Sequence, residues 1–264
     1  MKRSFLFSLF FLFLFIQDLA SIESNEKPVP IQRKSKDFYY LLQTPHLRKK
    51  KPYSWEKEGV SLPKITKEFF RCRGIAQNAP RQIDASKILS DCAGGTKHPL
   101  SFVQGKEGVY AVLLDLLNFV QKKTGKQVVI TCGHRCSLHN AYADPSKDNL
   151  SSKHLIGAEV DFYVKGMEHE PEKIIEIVHE FYRQDPETKN NPEFTKFLRY
   201  EKKTNVATPP WYNKEIFLKL FRKEEGRDFD NSHDYPYVSI QVRFDRERKE
   251  KVVFSWDLVN NPSI

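Results

Sequence analysis

Apolar positions recur at helical spacing in two clear stretches. Between Glu107 and Lys123, residues Val109, Val112, Leu113, Leu116, Leu117 and Val120 fall three and four apart, and Gly125 ends the run. This predicts an amphipathic helix with one buried stripe. A second helix is predicted from Pro171, carrying Ile174, Ile175, Val178, Phe181 and Tyr182, and a third after Pro210, from Trp211 to about Lys223. Strand signals lie between them. Val128, Val129, Ile130, Thr131 and Cys132 form a short β-branched run. From Glu159 to Val164 the pattern alternates, so Val160, Phe162 and Val164 share one face while Glu159, Asp161 and Tyr163 share the other. Tyr237 to Phe244 and Val252 to Trp256, joined by the polar residues 245–249, read as an antiparallel hairpin. Helices and strands mix without regular alternation. The expected class is therefore α+β, a small antiparallel sheet with flanking helices, rather than a doubly wound sheet.

The N-terminus follows a different pattern. Lys2 and Arg3 precede an unbroken apolar run from Phe5 to Ile16, too short for a bilayer span and matching the core of a secretory signal peptide. Residues 1–21 are expected to be that signal. Residues 22–60 carry basic clusters such as Arg48, Lys49, Lys50 and Lys51 with no sustained apolar period, which reads as an extended arm. Residues 61–264 remain for one domain. The chain is expected to be exported, to the periplasm or cell envelope, with no stable membrane span after signal cleavage.

Composition narrows the class further. Hydrophobic residues make up 39% and aromatics 13%, enough for a core and against wholesale disorder. The net charge of +9 favours an acidic partner. For an exported chain that means an anionic envelope surface rather than nucleic acid. Four cysteines, Cys72, Cys92, Cys132 and Cys136, would meet an oxidising compartment. Pairing Cys72 with Cys92 and Cys132 with Cys136 is the simplest of three connectivities, and the sequence does not choose among them. Cys132, His134, Cys136 and His139 also form a compact set of zinc-ligand types, crowded into eight residues.

The most informative stretch runs from Ser152 to Asp161. His154 and Asp161 are separated by a loop containing Gly157, with Asp161 on a strand, so both can converge on one divalent metal. The pattern Ser-x-His-x-x-Gly-x-x-Val-Asp, preceded by a strand and by Gly133, His134 and Arg135, resembles the zinc D-Ala-D-Ala carboxypeptidases and related peptidoglycan peptidases. The resemblance runs from about Glu107 to Phe254. It implies a Hedgehog/DD-peptidase-like α+β fold, Zn2+ bound by His154 and Asp161, and Arg135 binding substrate or stabilising the transition state.

This chain departs from the family in two places. Where many members carry His-x-Asp on the penultimate strand, Ser239 and Gln241 stand, and Glu159 takes a position commonly filled by Ala. A hydroxyl is a poor zinc ligand and an amide is no carboxylate base. Other branches use a carboxylate-x-x-His pair, which Asp230 and His233 supply here as general base and third ligand. Glu176 and His179 form a competing pair within the second helix. The resulting expectation is a zinc metallopeptidase acting on peptidoglycan peptides, with His154, Asp161 and His233 on the metal and Asp230 and Arg135 catalytic. The alternative is an inactive member that binds peptidoglycan or an envelope protein. Oligomeric state is left open.

Overall fold

The computed structural model describes residues 62–94, 98–103 and 105–260. The expected signal peptide and basic arm lie outside these. The described residues belong to one compact unit, 53–264. In chain order its elements are β1 (Arg81–Gln82), β2 (Ile88–Leu89), β3 (Phe102–Val103), β4 (Lys106–Glu107), α1 (Ala111–Thr124), β5 (Val128–Cys132), α2 (Ser137–Ala143), β6 (Glu159–Val164), α3 (Pro171–Gln184), α4 (Pro192–Thr195), β7 (Leu198–Arg199), β8 (Trp211–Tyr212), β9 (Ile216–Phe221), β10 (Tyr237–Val242), β11 (Phe244–Asp245) and β12 (Glu250–Lys251). This is the expected α+β class. Among the described residues, no helix is long and apolar enough to cross a membrane.

The principal sheet has six strands in the order β5, β6, β10, β9, β8, β7, with every neighbouring pair antiparallel. Its two faces differ because side chains alternate along a strand. One face carries Val160, Phe162, Ile216, Leu218, Leu220, Val238 and Ile240, which form one core with Leu113, Leu116, Leu117 and Val120 of α1 and with Ile174, Ile175 and Val178 of α3. Each fully buried side chain of this kind contributes about 1.5–3 kcal/mol. The helices therefore cover one side of the sheet. Glu159, Asp161, Tyr237, Ser239 and Gln241, from the other set of alternate positions, are left facing a cleft. The N-terminal segment is tied to α1 by polar contacts. The Asn118 side chain accepts from Ile65 N and donates to Ile65 O, both at 2.8 Å.

Two expected elements fold differently. The stretch from Trp211 to Lys223 forms β8 and β9 rather than a helix. Ile216, Leu218 and Leu220 alternate into the core, and the Asn213 side chain accepts from Glu215 N and Ile216 N at 2.9 and 2.8 Å, turning the chain between the strands. The final hairpin is also much shorter. Phe244–Asp245 pairs with Glu250–Lys251, whereas β10 lies between β6 and β9. Val252 to Trp256 does not return along β10, because both edges of that strand are already paired.

The cysteines do not pair as the simplest connectivity suggested. All four are free and buried. Cys72 and Cys92 face each other with sulfurs 3.6 Å apart, against about 2.05 Å in a disulfide. Cys132 turns instead toward His154. Cys132, His134, Cys136 and His139 do not share one centre either, since Cys136 joins Cys72 and Cys92 while His139 lies between two carboxylates.

Candidate metal centre and its cleft

The metal motif folds as a tight turn feeding a strand. Lys153–Ile156 is a 3-10 turn whose first N–H groups are capped by the Ser152 hydroxyl, which accepts from His154 N. Gly157 ends it at φ +65°, and a Cβ there would lie 2.3 Å from Ser101 Oγ, so glycine is required both for conformation and for space. Past this turn the chain enters β6. That reversal sets His154 beside the strand residues Glu159 and Asp161.

His154 is oriented for ligation. Its Nδ1 donates to the Gly133 carbonyl at 2.7 Å, so Nε2 is the nitrogen that a metal would take, in exchange for its proton. Nε2 lies 3.6 Å from Asp161 Oδ2 and 3.8 Å from Glu159 Oε2. Two donors bound to one zinc at tetrahedral angles sit about 3.4 Å apart, so this spacing suits a shared ion. Cys132, His154 and Asp161 also bring one donor each within 4.8 Å of one another. The chain thus contains a Cys/His/Asp group that could hold a metal ion. Cys132 does not line the cleft, whereas Glu159 does. Glu159 stands at the cleft edge of this group, against His154.

Charge within the cluster is strongly coupled. Burial works against protonation of His154, but Glu159 and Asp161 outweigh it and raise its pKa to about 9. Burial pushes the Asp161 carboxyl up, yet His154, Arg135 and the Asn231 amide hold it below the usual carboxylate range. Two buried carboxylates facing one imidazole make a locally negative pocket suited to a cation.

Ser239 and Gln241 have a definite task here. Opposite β6 in register, Ser239 pairs with Asp161 and Gln241 with Glu159. Ser239 Oγ and Gln241 Nε2 both donate to Glu159 Oε1, at 3.0 and 2.7 Å. They hold one carboxylate oxygen while the other faces His154. The positions that would carry ligand and base in the resembled family thus orient a carboxylate on the adjacent strand.

The other expected site residues are placed differently. The His233 ring packs among Tyr163, Tyr235 and Tyr237, at centroid distances of 5.3, 5.9 and 5.7 Å, and does not line the cleft. Tyr163, two residues along β6 from Asp161, provides the surface that holds it. Asp230 is also committed elsewhere. Its two oxygens take Arg135 Nε at 2.7 Å and His139 Nε2 at 2.9 Å, and only 7% of its side chain is exposed. Burial works against its charge, but the His139 hydrogen bond and Arg135 hold its pKa far below normal, a poor property for a base. Arg135 lines the cleft but is itself buried and already paired with Asp228 and Asp230. His179 lies on α3 against Phe197, a ring 4.1 Å away, and does not line the cleft.

Two neighbours of the centre escaped sequence reasoning. Asp228 lines the cleft with 20% of its side chain exposed, and burial raises its pKa despite Arg135 Nη2 at 2.6 Å. Asn231, fully buried, donates from Nδ2 to Asp161 Oδ2 at 2.8 Å and to Asp228 Oδ1 at 3.1 Å, while its Oδ1 accepts from Thr131 at 2.6 Å. One amide nitrogen therefore separates Asp161 from Asp228. No residue spacing announced either. Glu159 did carry a signal, because the alternation of β6 already placed it on the face of Asp161.

The cleft has a volume of about 870 Å³ and is rimmed by cations, including Arg81, Lys153, Lys219 and Arg227. An adjoining groove shares Lys153 and Lys219 and adds Lys203 and Arg243. Compared with known proteins, the chain matches no family model, no curated protein and no solved structure.

Proposed function

We propose that this chain is an exported zinc-dependent peptidase that hydrolyses a peptide bond in peptidoglycan stem peptides or cross-links. The observation that supports this best is that His154 Nε2 faces both Asp161 and Glu159 in an open cleft that Asp228 also lines. Zinc, when bound, supplies a Lewis acid that polarises the scissile carbonyl and acidifies the attacking water. Glu159 takes the place of the third ligand, and His233 is an aromatic-box residue instead. Asp228 replaces Asp230 as general base. Its Oδ2 keeps a lone pair beyond the Arg135 contact, and burial raises its pKa, the direction that makes a carboxylate a better base. Arg135 positions Asp228 rather than meeting substrate. Lys153 and Lys219 provide positive charge for a substrate carboxylate, as a carboxypeptidase requires, and draw acidic wall peptides into the cleft.

Incubation of the purified chain with peptidoglycan fragments, with and without a chelator, followed by mass analysis, tests this reading. The expected result is cleavage at a D-amino-acid bond that stops on chelation and returns with zinc. Cleavage indifferent to chelator, or none from a zinc-loaded sample, overturns it. The inactive peptidoglycan-binding reading draws on one observation, that Asp230 and Arg135 are already bound to each other. It predicts retention of the fragments without products.

A further inference from the structure

A second cluster lies away from the cleft and belongs to no part of the proposed reaction. Cys72, Cys92, His98 and Cys136 each bring one ligand atom within 4.8 Å of the others. They come from three separate places: the segment after the Lys67–Phe70 turn, the segment before β3, and the N-cap of α2. Their spacing in the chain follows no motif, so only the fold assembles them.

We propose that these four residues form a closed structural zinc site of the Cys3His type. Sulfurs bound to one zinc at 2.3 Å and tetrahedral angles sit about 3.8 Å apart, and Cys72 Sγ and Cys92 Sγ are 3.6 Å apart. Backbone amides point at two of the sulfurs. Gly94 N donates to Cys92 Sγ at 3.3 Å and His139 N to Cys136 Sγ at 3.4 Å, which stabilises thiolates. His98 Nδ1 is buried with no hydrogen-bond partner. The loops close on the sulfurs only because two glycines permit it. A Cβ on Gly74 would lie 2.1 Å from Cys92 Sγ, and one on Gly94 would lie 1.9 Å from the Gly74 carbonyl oxygen. Three sulfurs cannot all be satisfied by disulfides, whereas three thiolates and an imidazole satisfy a soft, tetrahedral cation.

The site also has a mechanical consequence. Cys92 follows Asp91, Cys136 follows Arg135, and His139 joins Asp91 to Asp230 at 2.6 and 2.9 Å. The ion would fasten the loop carrying Asp91 to the helix carrying His139, and so brace the Arg135 network beneath the cleft.

The test uses the full chain, purified under reducing conditions and loaded with Co2+ in place of zinc. The expected signature is sulfur-to-cobalt charge-transfer absorption, present in wild type and in His154→Ala, and lost in Cys92→Ser. If Cys92→Ser fails to fold, His98→Cys decides, since a fourth thiolate should keep the ion and strengthen the absorption. The signature is independent of cleavage, so it can hold or fail whatever becomes of the peptidase reading. A folded wild-type chain with no charge-transfer band, or one whose mass shows a Cys72–Cys92 disulfide, overturns the proposal.

Discussion

The two clusters of ligand-type residues in this chain are built in opposite ways. His154, Glu159 and Asp161 sit on a turn and a single strand, mix nitrogen with oxygen, and open onto a cleft of about 870 Å³. Cys72, Cys92, His98 and Cys136 come from three loops and are dominated by sulfur. Oxygen donors beside a cleft leave room for water and substrate. Sulfur donors enclosed by backbone leave none. The sheet gives the first cluster its rigidity through register, whereas the second cluster would give its loops theirs through the proposed ion. One centre is thus suited to chemistry and the other to holding the first in shape.

The largest effect expected from breaking this division is at the cleft. His154→Ala should abolish hydrolysis of peptidoglycan fragments, by at least about 10³-fold in kcat/KM, and also lower the melting temperature, because Asp161 and Glu159 lose the imidazole that faces them; mass analysis and a melting curve check both. Asp228→Asn should cost about 10²–10⁴-fold in kcat while zinc content, measured by atomic emission, stays at the wild-type value. Asp230→Asn should instead act chiefly on stability.

Next in size are effects on the scaffold. Arg135→Ala leaves Asp228 without its cation and Asp230 with His139 alone, and should cost about 3–5 kcal/mol, read from chemical denaturation. Cys72→Ser should cost more than about 2 kcal/mol in the zinc-loaded chain and much less after chelation, because its contribution passes through the ion. Equal losses in both states would show that Cys72 acts by packing alone.

The smallest effect concerns His179. Burial, then Arg183 and Arg199, lower its pKa to about 4, below the ordinary value of 6.5. A depressed histidine adds stability above pH 6.5 and loses it as pH falls toward 4. His179→Phe should flatten that part of the stability profile without touching activity. A change in metal content in this variant would revive its role as a ligand.

Much of the framework was legible in the sequence because it rests on short-range pattern. The stripe of α1 and the alternation of β6 specify which residues face the core, whatever else the chain does. His154, Gly157 and Asp161 were legible for a similar reason: a turn and a strand within ten residues bring them together. The segment from Trp211 to Lys223 was misread because its apolar residues satisfy helical and strand spacing alike. Pairing of β9 with β10 selects the strand, and no local pattern contains that partner.

The sequence by itself determined the α+β class, the core face of each main element and two of the groups at the centre, since these follow from side-chain period and local turns. Only the tertiary structure decided the rest. It laid Ser239 and Gln241 across from Glu159, gave Asp230 to Arg135 and His139, left Asp228 at the cleft, and gathered four ligand-type residues from three loops. Each of these depends on which distant segments meet, and in an antiparallel sheet that is settled by strand order and register.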